Sequence, residues 1–403
     1  MNKVMLARQP IFDAHQKTYA YELLYRGEGM DDDAMTATVL SNTLNRFGID
    51  QMTQGKALFI NLSKNFLLSD FPDILPQGAT VLEVLEDVPA DKDVITAIQH
   101  WKEQGFTVAL DDFISITSEH MKLLPYVDIV KIDILDCTED LSVIVQELRK
   151  FPVKLLAEKV ETYEEYELCK KLGFDYFQGY FFSKPTIIIN SHTLETNKAQ
   201  LLNLLSRILE AETPAELETD IAHDLTLSYK LLCYINSASI GLKNNIHSIA
   251  HALTLLGLKK LRTWVSMMLM FSLSTEKPDA LLALSFSRGR FLEQLAITKQ
   301  DAQHSSDYFI LGMFSLLDAF LDQSLKQAVE AVSLPELVHD GLLQPNSKAA
   351  CNLCLIQALE LGDWTQVDDL CLAIKTDSGQ VMTLYAEAIQ WADERVSTIH
   401  SAA

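Results

Sequence analysis

The spacing of hydrophobic positions changes repeatedly along the first 185 residues. Short β-favouring runs are separated by stretches with helical spacing. "KALFINLS" (56–63), "TVLEVLED" (80–87), "FTVALDDF" (106–113), "VDIVKID" (127–133), "VKLLAEKV" (153–160) and "DYFQGYFF" (175–182) are rich in β-branched and aromatic residues and predict strands. Between them, "DVITAIQHWKEQG" and "TYEEYELCKKLG" predict helices, each ending in Gly, a common helix stop. The opening "VMLARQPIFDAHQKTYAYELLYRG" differs: it predicts two strands joined by a turn, an antiparallel entry. Strand–helix alternation predicts a parallel sheet with crossover helices. The expected fold over 1–187 is therefore α/β, a TIM-like (β/α) barrel with an antiparallel first strand.

After "SKPTIIIN" the alternation stops, and helical spacing runs from about residue 195 onward, predicting an all-α domain over 188–403. "WVSMMLMFSL" (264–273) is the most apolar stretch. It is shorter than the roughly 18 residues a membrane span needs, so it predicts a core helix.

The polar residues that interrupt the apolar runs cluster near strand ends. They are Asn61, Glu83, Asp111, Asp112, Lys131, Glu158 and Gln178, with Glu22 inside the apolar "TYAYELLY". A carboxylate there is costly unless paired or metal-bound. Carboxyl ends of parallel barrel strands form the catalytic face, so these side chains are expected to converge on one mouth. Asn with several carboxylates is a hard-oxygen set suited to Mg²⁺ or Mn²⁺, whereas zinc prefers His and Cys. Adjacent aspartates can hold two metals side by side, an arrangement that activates water for phosphoryl displacement. Singly, each residue has a bland reading: "DD" as a helix cap, a strand Lys that snorkels, "NLS" as a helix start. Their joint placement at strand ends favours a site.

A net charge of −22 argues against a general nucleic-acid binder, which would be basic. An anionic small ligand stays compatible if metals and a few Lys or Arg neutralise it locally. Six scattered cysteines predict a reducing, cytoplasmic setting without disulfides. "CNLC" (Cys351, Cys354) has helical surroundings and reads as core thiols. "MNKVMLARQP" is too short in its apolar part for a signal peptide, so no membrane association is expected.

"ELL" followed by "YR", then "INLS", "LEVLE", "ALDDF", "VKID", "AEKVET" and "QGYFFSKP", resemble in order the motifs of the EAL family of cyclic di-GMP phosphodiesterases. The resemblance implies a two-metal site in which Glu22, Asn61, Glu83 and Asp111 ligate one Mg²⁺ or Mn²⁺ and Asp112 contributes to the second. It implies Glu158 as general base or metal partner, Lys131 placing the nucleophilic water, and Glu161 and Gln178 completing the site. Arg26, Gln178 and Leu24 would face the dinucleotide, and Glu86 would brace the loop after Asp112. The implied reaction is hydrolysis of cyclic di-GMP to linear pGpG by metal-activated water. The chain departs from the pattern at "DDFISITSEH", which lacks the family's Gly-rich loop, and at Lys159, where Gly is usual. The loop links the family's site to dimerisation, which leaves a homodimer open. Its divergence also leaves open a second reading, a weakly active or inactive cyclic di-GMP receptor or scaffold.

"LTLSYKLLCYINSASIGLKNNIHSIAHALTLLGLKKLRTWV" resembles the all-α HDOD domain. His223 and Asp224 read as a helix start, and His247 and His251 as ordinary histidines. Ser315 and Leu316 stand where metal-binding relatives carry their His-Asp dyad. The resemblance thus implies an interaction module for signalling proteins.

Overall fold

The computed structural model describes residues 4–27, 53–113, 115, 118–137, 140–184, 196–218, 221, 225–236, 246, 248–274 and 277–401. Eight strands close into a barrel in the order β1 to β8: β1 Val4–Asp13, β2 Thr18–Gly27, β3 Ala57–Leu62, β4 Thr80–Val84, β5 Thr107–Phe113, β6 Ile129–Asp133, β7 Lys154–Glu158 and β8 Tyr176–Gln178. Neighbours from β2 to β8 are parallel, and β1 is antiparallel to both β2 and β8. The reversal follows from a tight turn. Asp13 Oδ1 accepts from the backbone N–H groups of His15 and Lys17 at 2.8 and 2.9 Å, and only an antiparallel pair can be joined so briefly.

Local signals fix the crossover helices. Lys92–Glu103 starts where Asp91 accepts from the Val94 N–H. Tyr163–Leu172 starts with a reciprocal Thr162–Glu165 capping box and ends at Gly173, whose φ of 91° is left-handed. Both glycine stops foreseen from the sequence fall at or just beyond helix ends.

The molecule divides into two compact units. The first comprises Met1–Lys184, Pro278–Ala280 and Gln357–Ala386; the second comprises Pro185–Lys277, Leu281–Ile356 and Glu387–Ala403. Gln357–Ala386, from the helical half of the sequence, thus clusters with the barrel. Among the described residues after 195 there are helices but no strands.

In the second unit, "WVSMMLMFSL" lies in helix Ile249–Leu273, with Trp264 to Met270 buried, as a core helix should be. No described helix is long and apolar enough to cross a membrane. Cys351 and Cys354 sit three residues apart on helix Lys348–Leu361. They are only half-buried, a correction to the core-thiol expectation: their face of the helix borders solvent. The buried Arg288 guanidinium donates to Ser315 Oγ at 2.9 Å, so a hydrogen bond occupies the place of the absent His-Asp dyad. Leu316 beside it is buried and apolar. His251 is exposed, whereas His223, Asp224 and His247 lie outside the described residues.

Candidate active site

Ile11, Ala20, Phe59, Val81, Ala109, Ile129, Leu156 and Tyr176, one from each strand, form an apolar floor inside the barrel. Side chains alternate along a strand, so the next inward position lies two residues on. On the parallel strands those positions are Glu22, Asn61, Glu83, Asp111, Lys131, Glu158 and Gln178. On β1, which runs the other way, the equivalent position is two residues back: Gln9.

Lys131 is the hub of this ring and is only 1% exposed. Its Nζ lies 2.6 Å from Glu83 Oε1, 2.6 Å from Asp111 Oδ1, 2.9 Å from Glu158 Oε1 and 3.4 Å from Glu22 Oε2. Glu22 also accepts from Asn61 Nδ2 at 3.0 Å and from Gln178 Nε2 at 2.5 Å. Gln178 Nε2 donates in addition to Gln9 Oε1 at 3.1 Å, and Gln9 sits opposite Glu22 in the β1–β2 ladder. Gly179 places Gln178: a Cβ there would lie 2.1 Å from the Val160 carbonyl oxygen, so only glycine lets the end of β8 approach β7 this closely.

Fully ionised, four buried carboxylates against one ammonium would leave an excess of negative charge. The protonation equilibria reflect that excess. Burial, and then the charge of Glu22, push the Glu83 carboxyl well above its ordinary range. Burial pushes Glu158 up to about 8, with Asp111 and Glu22 adding to it and Lys131 opposing. Burial alone would lower Lys131, but the surrounding carboxylates, Glu158 foremost, hold its ammonium well above the usual range. Asn61 Oδ1, Glu83 Oε2, Glu158 Oε2 and Gln178 Oε1 are buried without a hydrogen-bond partner. Buried, unsatisfied oxygen acceptors in a site with surplus negative charge fit a hard divalent cation.

Two neighbouring groups extend the ring. The β5–β6 register shifts between Leu110 and Phe113, and Asp112 takes a left-handed φ of 43°, a bulge that breaks the strand's alternation and lets its carboxyl lie near that of Asp111. Asp112 is half-buried, and burial followed by the charge of Asp111 raises its carboxyl. Carboxylate oxygens of Asp111, Asp112 and the exposed Glu86 lie within 4.8 Å of one another. Lys159 adopts a φ of 55°, which explains why glycine suits this position: left-handed backbone costs an L-residue about 1 kcal/mol. Its half-exposed ammonium pairs with Asp133, and with Asp136 at 3.5 Å.

Glu161 stands apart from the ring. The strand ends at Glu158, the chain turns at left-handed Lys159, and the exposed Glu161 pairs with Lys184 at 2.9 Å. Leu24, the next position of Glu22's parity on β2, is half-buried. Arg26 pairs with Met5 in the β1–β2 ladder, and its side chain lies outside the described residues. Of the diverged "ISITSEH" loop, residues 114, 116 and 117 are likewise outside them. Gln9 was not foreseen. The available signal was its position two residues before the floor residue Ile11 on a strand of opposite direction.

The EAL domain matches residues 2–185, and the HDOD domain matches residues 200–332. Over 404 residues the chain is 32% identical to the uncharacterized protein YuxH of Bacillus subtilis, covering 96% of this chain and 98% of that protein. The chain belongs to the EAL–HDOD family. Another whole-length relative is the cyclic di-GMP phosphodiesterase CdgJ of Vibrio cholerae, 33% identical over 408 residues, or 98% of this chain and 93% of that one. Among solved structures, the EAL domain of Mycobacterium smegmatis DcpA is 23% identical, with a TM-score of 0.37, covering 44% of this EAL–HDOD chain and 91% of that chain.

Two expected results arise from the ring. In the metal-free state, Glu158 keeps its proton in the folded protein from its ordinary value of 4.5 up to about 8, whereas the unfolded chain has released it. The folded state binds more protons in that window, so Glu158's contribution makes stability fall as pH rises through it. Melting of metal-free protein should therefore decline with pH more steeply in wild type than in Glu158→Gln, and added Mn²⁺ should restore stability at the alkaline end. Equal slopes in the two proteins would contradict this. Lys159→Gly should destabilise by about 1–2 kcal/mol, because relief of left-handed backbone strain only partly offsets loss of the ammonium partner of the buried Asp133. It should also raise Mn²⁺ affinity about threefold or more by removing a positive charge beside the acidic cluster. Calorimetric titration checks this, and weaker Mn²⁺ binding would refute it.

Proposed function

We propose that the chain is a metal-dependent phosphodiesterase that opens cyclic di-GMP to linear pGpG, with the HDOD domain as an attached protein-interaction module. The ring of inward polar groups around Lys131 carries this reading, because its buried, partnerless oxygens need a cation beyond the one lysine. The whole-length likeness to a protein named as a cyclic di-GMP phosphodiesterase supports the substrate.

In this reading Glu22, Asn61, Glu83 and Asp111 hold one Mg²⁺ or Mn²⁺, and Asp112 contributes to the second. When bound, such ions act as Lewis acids toward a phosphoryl oxygen and lower the pKa of water. Glu158, held at 2.9 Å from Lys131, is the general base that receives the water's proton. Lys131 stays charged, orients the nucleophilic water and balances the carboxylates. Gln178, itself held by Gln9, donates to the Glu22 oxygen that Lys131 also meets, while Leu24 and Arg26 are assigned to the nucleotide by the family resemblance. Water oxygen bonds to phosphorus, its proton passes to Glu158, one P–O3′ bond breaks, and the departing 3′ oxygen gains a proton. The product is a linear dinucleotide with a 5′-phosphate.

Hydrolysis in ¹⁸O-labelled water tests this chemistry. The label should appear in the terminal phosphate of pGpG; a product with unlabelled phosphate, or one cleaved elsewhere, would exclude it.

A further inference from the structure

Helix Lys348–Leu361 ends in "LELGDW", outside both matched domains. The Gly362 N–H donates to the Leu359 carbonyl at 3.1 Å and the Asp363 N–H to the Ala358 carbonyl at 3.0 Å, while Gly362 has a left-handed φ of 68°. This is a Schellman stop. Asp363 then caps the helix Trp364–Ala373 by accepting from the Gln366 N–H. Capping alone accounts for a glycine at 362.

It does not account for what the turn touches. Glu360, Gly362, Gln9 and Leu24 all belong to the first compact unit. The Glu360 carbonyl accepts from Gln9 Nε2 at 3.3 Å, and Gln9 Oε1 in turn accepts from Gln178, which donates to Glu22. A Cβ on Gly362 would lie 2.9 Å from Leu24 Cδ1 and 3.5 Å from Leu24 Cβ. Gln9 and Leu24 stand on neighbouring antiparallel strands, where Gln9 is paired with Glu22 and Leu24 with Ala7. One turn therefore contacts the β1–β2 sector of the mouth at two points. One is the amide chain that holds Glu22; the other is the apolar side chain one inward step above it.

We infer that the Glu360–Gly362 turn is a positioning element of the nucleotide site, with Gly362 setting the side chain of Leu24 and the Glu360 carbonyl setting Gln9. The inference rests on the proposed reading of the barrel mouth as a cyclic di-GMP site. The turn works by shape on one side and by a directed carbonyl on the other. Glycine is needed twice, for the left-handed stop and for the absence of a side chain against Leu24. The helix that leads into the turn is Lys348–Leu361.

The test compares cyclic di-GMP binding and steady-state kinetics in full-length variants. Gly362→Ala puts a methyl group against the far end of a flexible Leu side chain, so Leu24 moves while the fold is kept. The Kd and KM for cyclic di-GMP should rise about five- to tenfold with kcat within about twofold, the signature of lost binding common to ground and transition states. Gly78→Ala is the control: its φ of 75° brings the same backbone strain, with nothing within 4 Å of the new methyl. It should lower the melting temperature and leave Kd unchanged. In a Leu24→Ala background the Gly362→Ala effect should vanish, since the two groups then no longer collide. Gln9→Ala, which cuts the second contact, should raise Kd about threefold even if Gly362→Ala does not fold. Unchanged Kd in Gln9→Ala and Gly362→Ala overturns the inference, as does an equal loss in Gly78→Ala or full additivity with Leu24→Ala. Wild-type protein that neither binds nor cleaves cyclic di-GMP would instead remove the underlying reading, and the inference with it.

Discussion

Glu22→Ala should lower kcat for cyclic di-GMP hydrolysis by at least ~10³-fold, about 4 kcal/mol of transition-state stabilisation. Glu22 is the one carboxylate that touches three different partners in the ring: Asn61, Gln178 and Lys131. Its removal leaves the Asn61 amide without an acceptor and withdraws an oxygen ligand from the proposed metal. It also removes one of four mutually repelling carboxylates, so the protein should still fold. Melting of metal-free Glu22→Ala should be within about 1–2 kcal/mol of wild type. Stabilisation by Mn²⁺ should nevertheless be weakened. Retained turnover in a folded Glu22→Ala protein would show that the ring is not the catalytic centre.

Lys131→Met should have the largest effect on stability, a loss of roughly 3–5 kcal/mol. The substitution keeps the apolar stem and deletes the ammonium that, among the described residues, alone pairs with Glu22, Glu83, Asp111 and Glu158. Buried like charges without a counter-ion are costly, and protonation relieves the cost. Lowering the pH should therefore recover much of the lost stability. Mn²⁺ should recover part of it, by supplying positive charge to the same oxygens. Urea denaturation across pH checks both statements. A Lys131→Met protein as stable as wild type at the alkaline end would mean that the carboxylates are not held by this lysine.

The barrel was legible because a parallel strand writes its inward face as every second residue. "VLEVLE" and "IVKID" carry both the floor residues Val81 and Ile129 and the ring residues Glu83 and Lys131. Reading direction also worked for seven ring positions, since each polar residue follows its floor residue. Gln9 escaped for the same reason in reverse: β1 is antiparallel, so its polar position precedes Ile11. Glu161 is placed in the site by the family resemblance of "AEKVET" alone. The strand stops at Glu158, and the left-handed backbone of Lys159 sends the chain outward to Lys184. Asp112 and Glu86 enter from the sequence as a strand-end aspartate and through the family resemblance; a linear pattern does not show the bulge that brings their carboxylates beside Asp111. The contact of Gly362 with Leu24 left no local trace, since "ELGD" reads fully as a helix stop.

The ring is expected to turn over cyclic di-GMP through a divalent cation. Purified full-length protein, stripped of metal and then supplied with Mg²⁺ or Mn²⁺, should convert cyclic di-GMP to pGpG, with product formation lost again on chelation. Tight calorimetric binding of cyclic di-GMP with no pGpG at any metal concentration would contradict the enzyme and identify the barrel as a receptor.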